Sequence, residues 1–542
     1  MRVFSGIKVI CFKKPFLFIL LTILINLRVN ATNYYVSASG NDANSGKSPN
    51  TPWKSLNKIQ NIRSLLVAGD SVLLKRGDTI VGNLGSMLIG NSNLSQNPVV
   101  FSCYGDTNLP LPVFSGIKNL VGSVWESTNI PYVYQTKLNI KESFKYPSYF
   151  FRDNKSLPLG RFPNFNPKDA GGIIIKQVTT SGAIATVKDS ITFGANAPNW
   201  VGGEFVTMPR YWLYSRGRIN SIDYTTSSAS ISIVGYAVES GKGFFIQNHV
   251  NSLDQEGEWA YDNTTGIFYL YTTNPPASSN YSYTQIAFGI DFSTNKADNF
   301  VIENIHFTGF TDAAIRLNSN NIGNKVVIQN CKFSFCHDAL YLVANDGIIV
   351  RNNEISDCKN NGITIIAKNI LVEYNQIKRI ALLPGSGDEY NNNYVGINFV
   401  GQNGICRYNK IDSIGFNGIR FEGQNLTLER NEISYFTINK HDGGGIYSFN
   451  GFFNAPQINF PNYVYGNNLI KENIIHDGIT SDILFTLYDY NNRLIGSNRS
   501  GGIYNDNNSF NNYVLGNIIY NMRGAAVLMS GSSISDSIKI EK

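Results

Sequence analysis

The chain has 542 residues with 45 basic and 39 acidic side chains, a formal net charge of +6. Arg2, Lys8, Lys13, Lys14 and Arg28 lie before residue 32 with no acid among them, so the rest of the chain is close to neutral at +1 and carries no nucleic-acid footprint. Of the six cysteines, the five beyond this stretch (Cys103, Cys331, Cys336, Cys358 and Cys406) form no CxxC pair, which argues against a zinc module.

Residues 1–31 combine a basic start, an apolar core from Phe16 to Leu27 and a small-residue end at Val29-Asn30-Ala31. That is the pattern of a secretory signal peptide cleaved near Ala31, with a core too short for an ordinary membrane span. The expectation is a secreted protein without membrane insertion.

Residues 32–140 read as an N-terminal cap and the first coils of a repeat. A strand at Tyr34 is followed by a turn-rich stretch in which Asn41, Asp42 and Asn44 read as turn formers. Leu56, Ile59, Ile62 and Leu65 or Leu66 then have the spacing of an amphipathic helix, with Pro52 near its start. A helix here covers the open end of a solenoid. Short strands in GDSVLLKRGDTI and NPVVFSCYG follow, and the first coils are expected to run to about Gln135.

Residues 141–287 lose that rhythm. SASISIVGY and GEWAYDNTTGIFYLYTT alternate apolar and polar residues, and Asn263 to Gly266 suits a hairpin turn, so an inserted antiparallel β-rich domain is expected. Its Trp259, Tyr261, Phe268 and Tyr269 are read as packing residues.

Residues 288–542 carry the main repeat. Asn353, Asn375, Asn409 and Asn431 are spaced by 22, 34 and 22 residues, and each is followed by an Ile, a polar corner and a Gly-Ile strand. A period near 22 with strand alternation specifies a parallel β-solenoid. The alternation assigns Ile315, Leu340, Ile363, Ile397, Ile419, Ile446, Ile503 and Val527 inward. Arg316, Tyr341, Thr364, Asn398, Arg420, Tyr447, Tyr504 and Leu528 then face outward, toward solvent or ligand. The Asn column, which continues through Asn473 and Asn517, is expected to form a hydrogen-bonded structural ladder. Cys336 and Cys358 fall at the same place in adjacent coils, and stacked buried thiols are favoured over a disulfide.

Three stretches before the Gly-Ile strand are enlarged. Where regular coils separate the Asn from the strand Gly by 9 residues, Asn375 to Gly396 is 21, Asn431 to Gly445 is 14 and Asn473 to Gly502 is 29. Loops added at one edge of a regular scaffold build the walls of a groove, here 378–395, 434–444 and 474–501, with 450–467 as a second wall. Its floor is Asn398, Arg420, Tyr447 and Tyr504. In the next outward column, Glu422 and Asp506 stand two coils apart, ~10 Å by interstrand spacing. That is close enough for side chains to approach the separation of a glycosidase acid pair.

The opening YYVSASGNDANSGKSPNTPWKSLNKI with GDSVLLKRGDTI resembles the start of secreted right-handed parallel β-helix proteins of the pectate-lyase-like superfamily. LPLGRFPN and LDQEGEWAYDNTTGIFYLY are similar to segments of parallel-β-helix glycoside hydrolases, including the α-1,3-galactosidase family and the family holding an α-L-fucosidase and a xylanase. HDGGGIYSF and GGIYNDNNSF look like the Asp-Gly-Gly-x-Ile-Tyr and Gly-Ile-Tyr-x-Asp motifs of these families, which implies roles for Asp442 and Asp506. Asn505 and Asn507 flank Asp506 where the motif often has Leu and a second Asp.

The resemblance implies an all-β, right-handed parallel β-helix glycoside hydrolase acting on an extracellular carbohydrate. Candidate catalytic residues are Asp506 with either Glu422, by spacing, or Asp442, by motif; an extended strand would put Asp442 and Asp506 ~20 Å apart. Arg420, Tyr447, Tyr504, Asn398 and His441 are candidate sugar ligands. No cofactor is required, although Asp388 and Glu389 are calcium candidates. A polysaccharide lyase using Lys440 or Arg420 as base, and a non-catalytic glycan-binding solenoid, are the alternatives.

Overall fold

A computed structural model describes residues 31–85, 97–120, 122–138, 147–166, 172–276, 279–292, 298–318, 324–389, 392–449, 466–479, 500–506, 509, 511–530 and 539–541. All but Ala31 of the expected signal peptide, most of loop 474–501 and most of the wall 450–467 lie outside the described residues.

The architecture is a parallel β-helix. Strands of successive coils pair in parallel on three faces, and the long strands Asp338–Arg351, Ile397–Arg407 and Ile419–Glu429 bend from one face onto the next. On the Gly-Ile face the register is Ile315, Leu340, Ile363, Ile397, Ile419, Ile446, Ile503, Val527, one residue per coil. All but the terminal Val527 are buried in one continuous core. Burying each such side chain is worth ~1.5–3 kcal/mol, and a one-residue slip would turn the whole stack outward, so the alternation fixes the register.

Glycine precedes Ile363, Ile397, Ile419, Ile446 and Ile503 for a steric reason. A Cβ on Gly418 would lie 2.5 Å from Ile433 Cγ2 and 2.6 Å from the Gly445 carbonyl oxygen, and one on Gly396 would lie 2.6 Å from the Gly418 carbonyl oxygen. The strand starts where one coil's backbone approaches the next too closely for any side chain.

The asparagine ladder forms as expected. Asn353, Asn375, Asn409, Asn431 and Asn473 each donate from Nδ2 to Oδ1 of the next member, ending at Asn517, at 2.8–3.0 Å. Each Nδ2 also reaches a backbone carbonyl, as Asn409 does with Val372 at 3.0 Å. The corner's buried polar groups are thereby satisfied without water.

At the N-terminal end, the helix Asn57–Ile62 continues as a 3-10 turn over Arg63–Leu65, and Leu56, Ile59 and Leu66 join the core beside Val36, Val72 and Leu74. Asp42 clasps the turn before it, accepting from Lys54 N at 2.8 Å and from Ser55 N at 2.9 Å. Val99–Tyr104 pairs with Phe300–Glu303, and Val113–Ser115 with His306–Thr308. The chain therefore leaves the solenoid after Ser115 and returns to the same stack.

Among the described residues the excursion is antiparallel, as expected, with one eight-stranded and two four-stranded sheets. Antiparallel pairing starts earlier than residue 141: Ile117–Asn119 pairs with Tyr281–Thr284, and Val133–Lys137 with Ile267–Tyr271. Short strands between Gly and Pro look the same in either setting, and only the partner decides. Trp259–Asp262 and Ile267–Tyr271 form the expected hairpin, and Trp259, Tyr261 and Phe268 pack in a separate core with Phe150. Cys336 and Cys358 are buried free thiols.

Candidate active site on the Gly-Ile face

The outward row keeps its expected register, Thr364, Asn398, Arg420, Tyr447, Tyr504. It is not the open floor that alternation suggests. All five are buried, none more than 8% exposed. Neighbours one interstrand spacing apart shield one another, and the side chains are tied into pairs instead of projecting singly.

One buried set involves both motif aspartates. Tyr447 donates its hydroxyl to Asp506 Oδ2 at 2.7 Å, and Tyr504 donates to Asp442 Oδ1 at 3.1 Å. The two rings meet edge to face with centroids 5.3 Å apart. Burial, then the Asp506 charge and hydrogen bond, then the Asp442 charge push the Tyr447 phenol well above its usual range, so it remains a proton donor. Asp442 and Asp506 thus flank one tyrosine pair. The ~20 Å separation of an extended strand does not apply. Asp442 sits at φ 64°, in the left-handed region that Asp tolerates, and Tyr504 of the following coil reaches back to it. Ser448 Oγ and Ser509 Oγ, 2.7 Å apart, fasten the segment after Asp506 to the preceding coil.

Arg420 lies beside this set. It donates from Nη1 to Asn398 Oδ1 at 2.9 Å and pairs through Nη2 with Glu422 Oε2 at 2.9 Å, both side chains being buried. Glu422 stands two coils from Asp506, as the register Phe421, Ser448, Asn505 requires, and its carboxylate is engaged by the guanidinium of its own strand.

Two enlarged corners lie together along one edge, against the inserted domain. Asn439 Nδ2 donates to Ala381 O, and Lys440 Nζ donates to Asn393 O at 3.3 Å while lying 4.1 Å from the Tyr394 ring centre. His441 N donates to Tyr211 O at 2.8 Å, and Tyr214 donates its hydroxyl to Asn439 O at 3.0 Å. The inserted domain is therefore a wall of the site, a role that its sequence did not announce. Lys440 is fully buried, and burial holds its amine well below the usual lysine range.

Asp388 and Glu389 line a cavity of about 530 Å³ between the first enlarged corner and the inserted domain. Both carboxylates are turned to basic side chains. Asp388 Oδ1 is 3.1 Å from His337 Nε2, and Glu389 Oε1 is 3.0 Å from Arg216 Nε. Arg420, Tyr447 and Tyr504 are not among the lining residues, so this cavity is separate from the tyrosine-aspartate set. Behind it, Asp338 accepts from Asn361 N at 2.8 Å and Asn360 Nδ2 at 3.0 Å. Burial pushes its pKa up to about 7, with Asp388 adding and His337 opposing. Sequence reasoning missed Asp338, although its signal was present: His337-Asp338 repeats the dipeptide His441-Asp442 ahead of a strand on the same face.

A family model described as "Right handed beta helix region" matches residues 313–462. A 102-residue stretch, 18% of this chain and 6% of the relative, is 43% identical to a lacto-N-biosidase of Bifidobacterium longum subsp. longum, so the match spans only a small part of that protein. Among solved structures, a glycoside hydrolase aligns over 94% of this chain and 97% of its own, with a TM-score of 0.58 at 14% identity. The xylose complex of XylC aligns over 90% of this chain and 69% of its own, with a TM-score of 0.48 at 11% identity. The chain is a right-handed parallel β-helix protein. Among the described residues, no helix is long and apolar enough to cross a membrane.

Proposed function

We propose that this protein is an exported glycoside hydrolase whose carboxylate pair is Asp442 and Asp506. The observation that carries the reading is the tyrosine pair of two adjacent coils, which holds both carboxylates by direct hydrogen bonds in one buried set. Its setting in this fold, and the 43% identity of one stretch to a named glycosidase, support the same class.

Hydrolysis needs a proton delivered to the leaving glycosidic oxygen as its bond to the anomeric carbon breaks. It also needs a second carboxylate that attacks that carbon or takes a proton from the water that does. Asp442 and Asp506 supply these two roles, and Tyr447 and Tyr504 fix their orientation. Glu422 is assigned to positioning: it holds Arg420, which in turn holds Asn398, in the row beside the tyrosine pair. Lys440 is fully buried and Arg420 is ion-paired, so neither of the two candidate lyase bases is presented, which favours hydrolysis over a lyase reaction.

The test is incubation with a panel of oligosaccharides, beginning with lacto-N-biose-terminated and xylose-containing glycans, with products read by mass spectrometry. Products heavier by one water per bond broken are expected. Unsaturated, ultraviolet-absorbing products would replace this reading with the lyase, and binding without turnover across the panel would replace it with a glycan-binding solenoid.

A further inference from the structure

The cavity beside Asp388 has no part in the carboxylate pair described above. Two stretches distant in sequence converge on it: Pro158, Leu159, Arg161 and Asn164 from LPLGRFPN, and Gln255 and Glu258 from LDQEGEW. The inserted domain supplies these, while the solenoid supplies Lys359 and the corner around Leu383. A volume of about 530 Å³ lies within the range of small-molecule sites.

Among the described residues, its walls hold an acceptor that the protein does not satisfy and an ammonium held only by a ring. Asn164 Oδ1 is shielded from solvent and accepts no hydrogen bond, although its Nδ2 donates to Asp254 Oδ1 at 2.9 Å. The Lys359 ammonium lies 4.7 Å from the Tyr149 ring centre and makes no ion pair among the described residues. An unmatched acceptor in such a place costs ~1–3 kcal/mol, which a ligand hydroxyl would recover. Phe165 lies at the same wall with its ring partly exposed, an apolar face for the C–H side of a sugar ring.

Charge decides the ligand class. Glu204, Glu258, Asp388 and Glu389 face Arg161, Arg216, Lys359 and His337, and the pairs Arg216–Glu389 and His337–Asp388 are already close. The cavity thus offers many donors and acceptors with no excess of cations to attract an anion. Lys359 stands four residues before Ile363 and Asp442 four before Ile446, in coils three apart, or ~15 Å along the axis.

We propose that this cavity is a distal subsite for uncharged sugar residues, formed jointly by the inserted domain and the solenoid. The proposal rests on the glycosidase reading and extends it to the substrate class: a neutral oligosaccharide that runs along the axis from the carboxylate pair to the cavity.

The test uses the full protein and calorimetric titration with a panel of neutral disaccharides, lacto-N-biose and xylobiose among them, against digalacturonate. Neutral binding is expected, weakened tenfold or more by Asn164→Ala and by Phe165→Ala at unchanged melting temperature, with no measurable binding of digalacturonate. If either variant fails to fold, Lys359→Met serves in its place. Binding of no neutral disaccharide, neutral binding indifferent to these substitutions, or preference for digalacturonate would each overturn the proposal. Disaccharide binding does not depend on turnover, so full activity of Asp506→Asn would remove the catalytic reading while leaving the cavity result legible.

Discussion

Tyr447 donates its hydroxyl to Asp506 across the boundary between two coils, at 2.7 Å and in a buried setting. The solenoid stacks Tyr447 directly on Tyr504, two residues before Asp506, so the contact follows from the register of the Gly-Ile strands. The same stacking brings Tyr504 to Asp442. A regular scaffold has thus been given an irregular corner of buried tyrosine-carboxylate hydrogen bonds.

Asp506→Asn and Asp442→Asn should each lower turnover by about a hundredfold or more on a confirmed substrate, the size of a lost general acid or base. Each change removes a charge and hardly alters volume, so the melting temperature should stay put. Glu422→Gln should raise KM more than it lowers kcat. A loss of kcat from Glu422→Gln equal to that of the aspartates would reassign the partner of Asp506.

Tyr447→Phe keeps the ring packing and deletes one donor to a buried carboxylate, an interaction worth ~1.5–3 kcal/mol when the acceptor is charged. Steady-state kinetics should register a loss of roughly tenfold to a hundredfold in kcat/KM, by the same arithmetic. An unchanged rate would mean that the phenol is only packing.

Asn409→Ala cuts the ladder at its middle. It removes the donor to Val372 O, Arg407 O and Asn431 Oδ1 and the acceptor of Asn375, leaving several buried groups unpaired. A loss of ~3–5 kcal/mol is expected, read by chemical denaturation. A loss below ~1 kcal/mol would show that the corner relaxes to admit water.

Asp338 sets a pH dependence of stability. Burial raises its pKa to about 7 in the folded chain, against ~3.9 when unfolded, so the folded state holds an extra proton between these values. Its contribution is therefore greatest below about pH 4 and declines by about 4 kcal/mol as pH rises through about 7. Asp338→Asn keeps an acceptor oxygen for Asn361 N and removes that decline. Thermal melts should show the variant more stable than the parent near about pH 8 and matched to it near about pH 4; no difference at either pH would refute the raised pKa.

The sequence by itself determined the solenoid, its 22-residue frame, the inward stack from Ile315 to Ile503, the asparagine ladder and the nomination of Asp442 and Asp506. The first four are set by a strictly local rule, strand alternation or a recurrent residue, that similar coils repeat until the period becomes visible, whereas motif resemblance alone nominated Asp442, and resemblance together with alternation nominated Asp506. Only the tertiary structure decided that Asp442 and Asp506 are each bonded to one of two adjoining tyrosines, that Glu422 belongs to Arg420, that the outward row is buried, and that antiparallel pairing begins at Ile117 with the inserted domain packed against the enlarged corners. Those outcomes depend on side-chain reach between coils and on contacts between Tyr211 and His441 or Tyr214 and Asn439, more than 200 residues apart in sequence. No local period encodes such contacts; the packing of two separately patterned parts does.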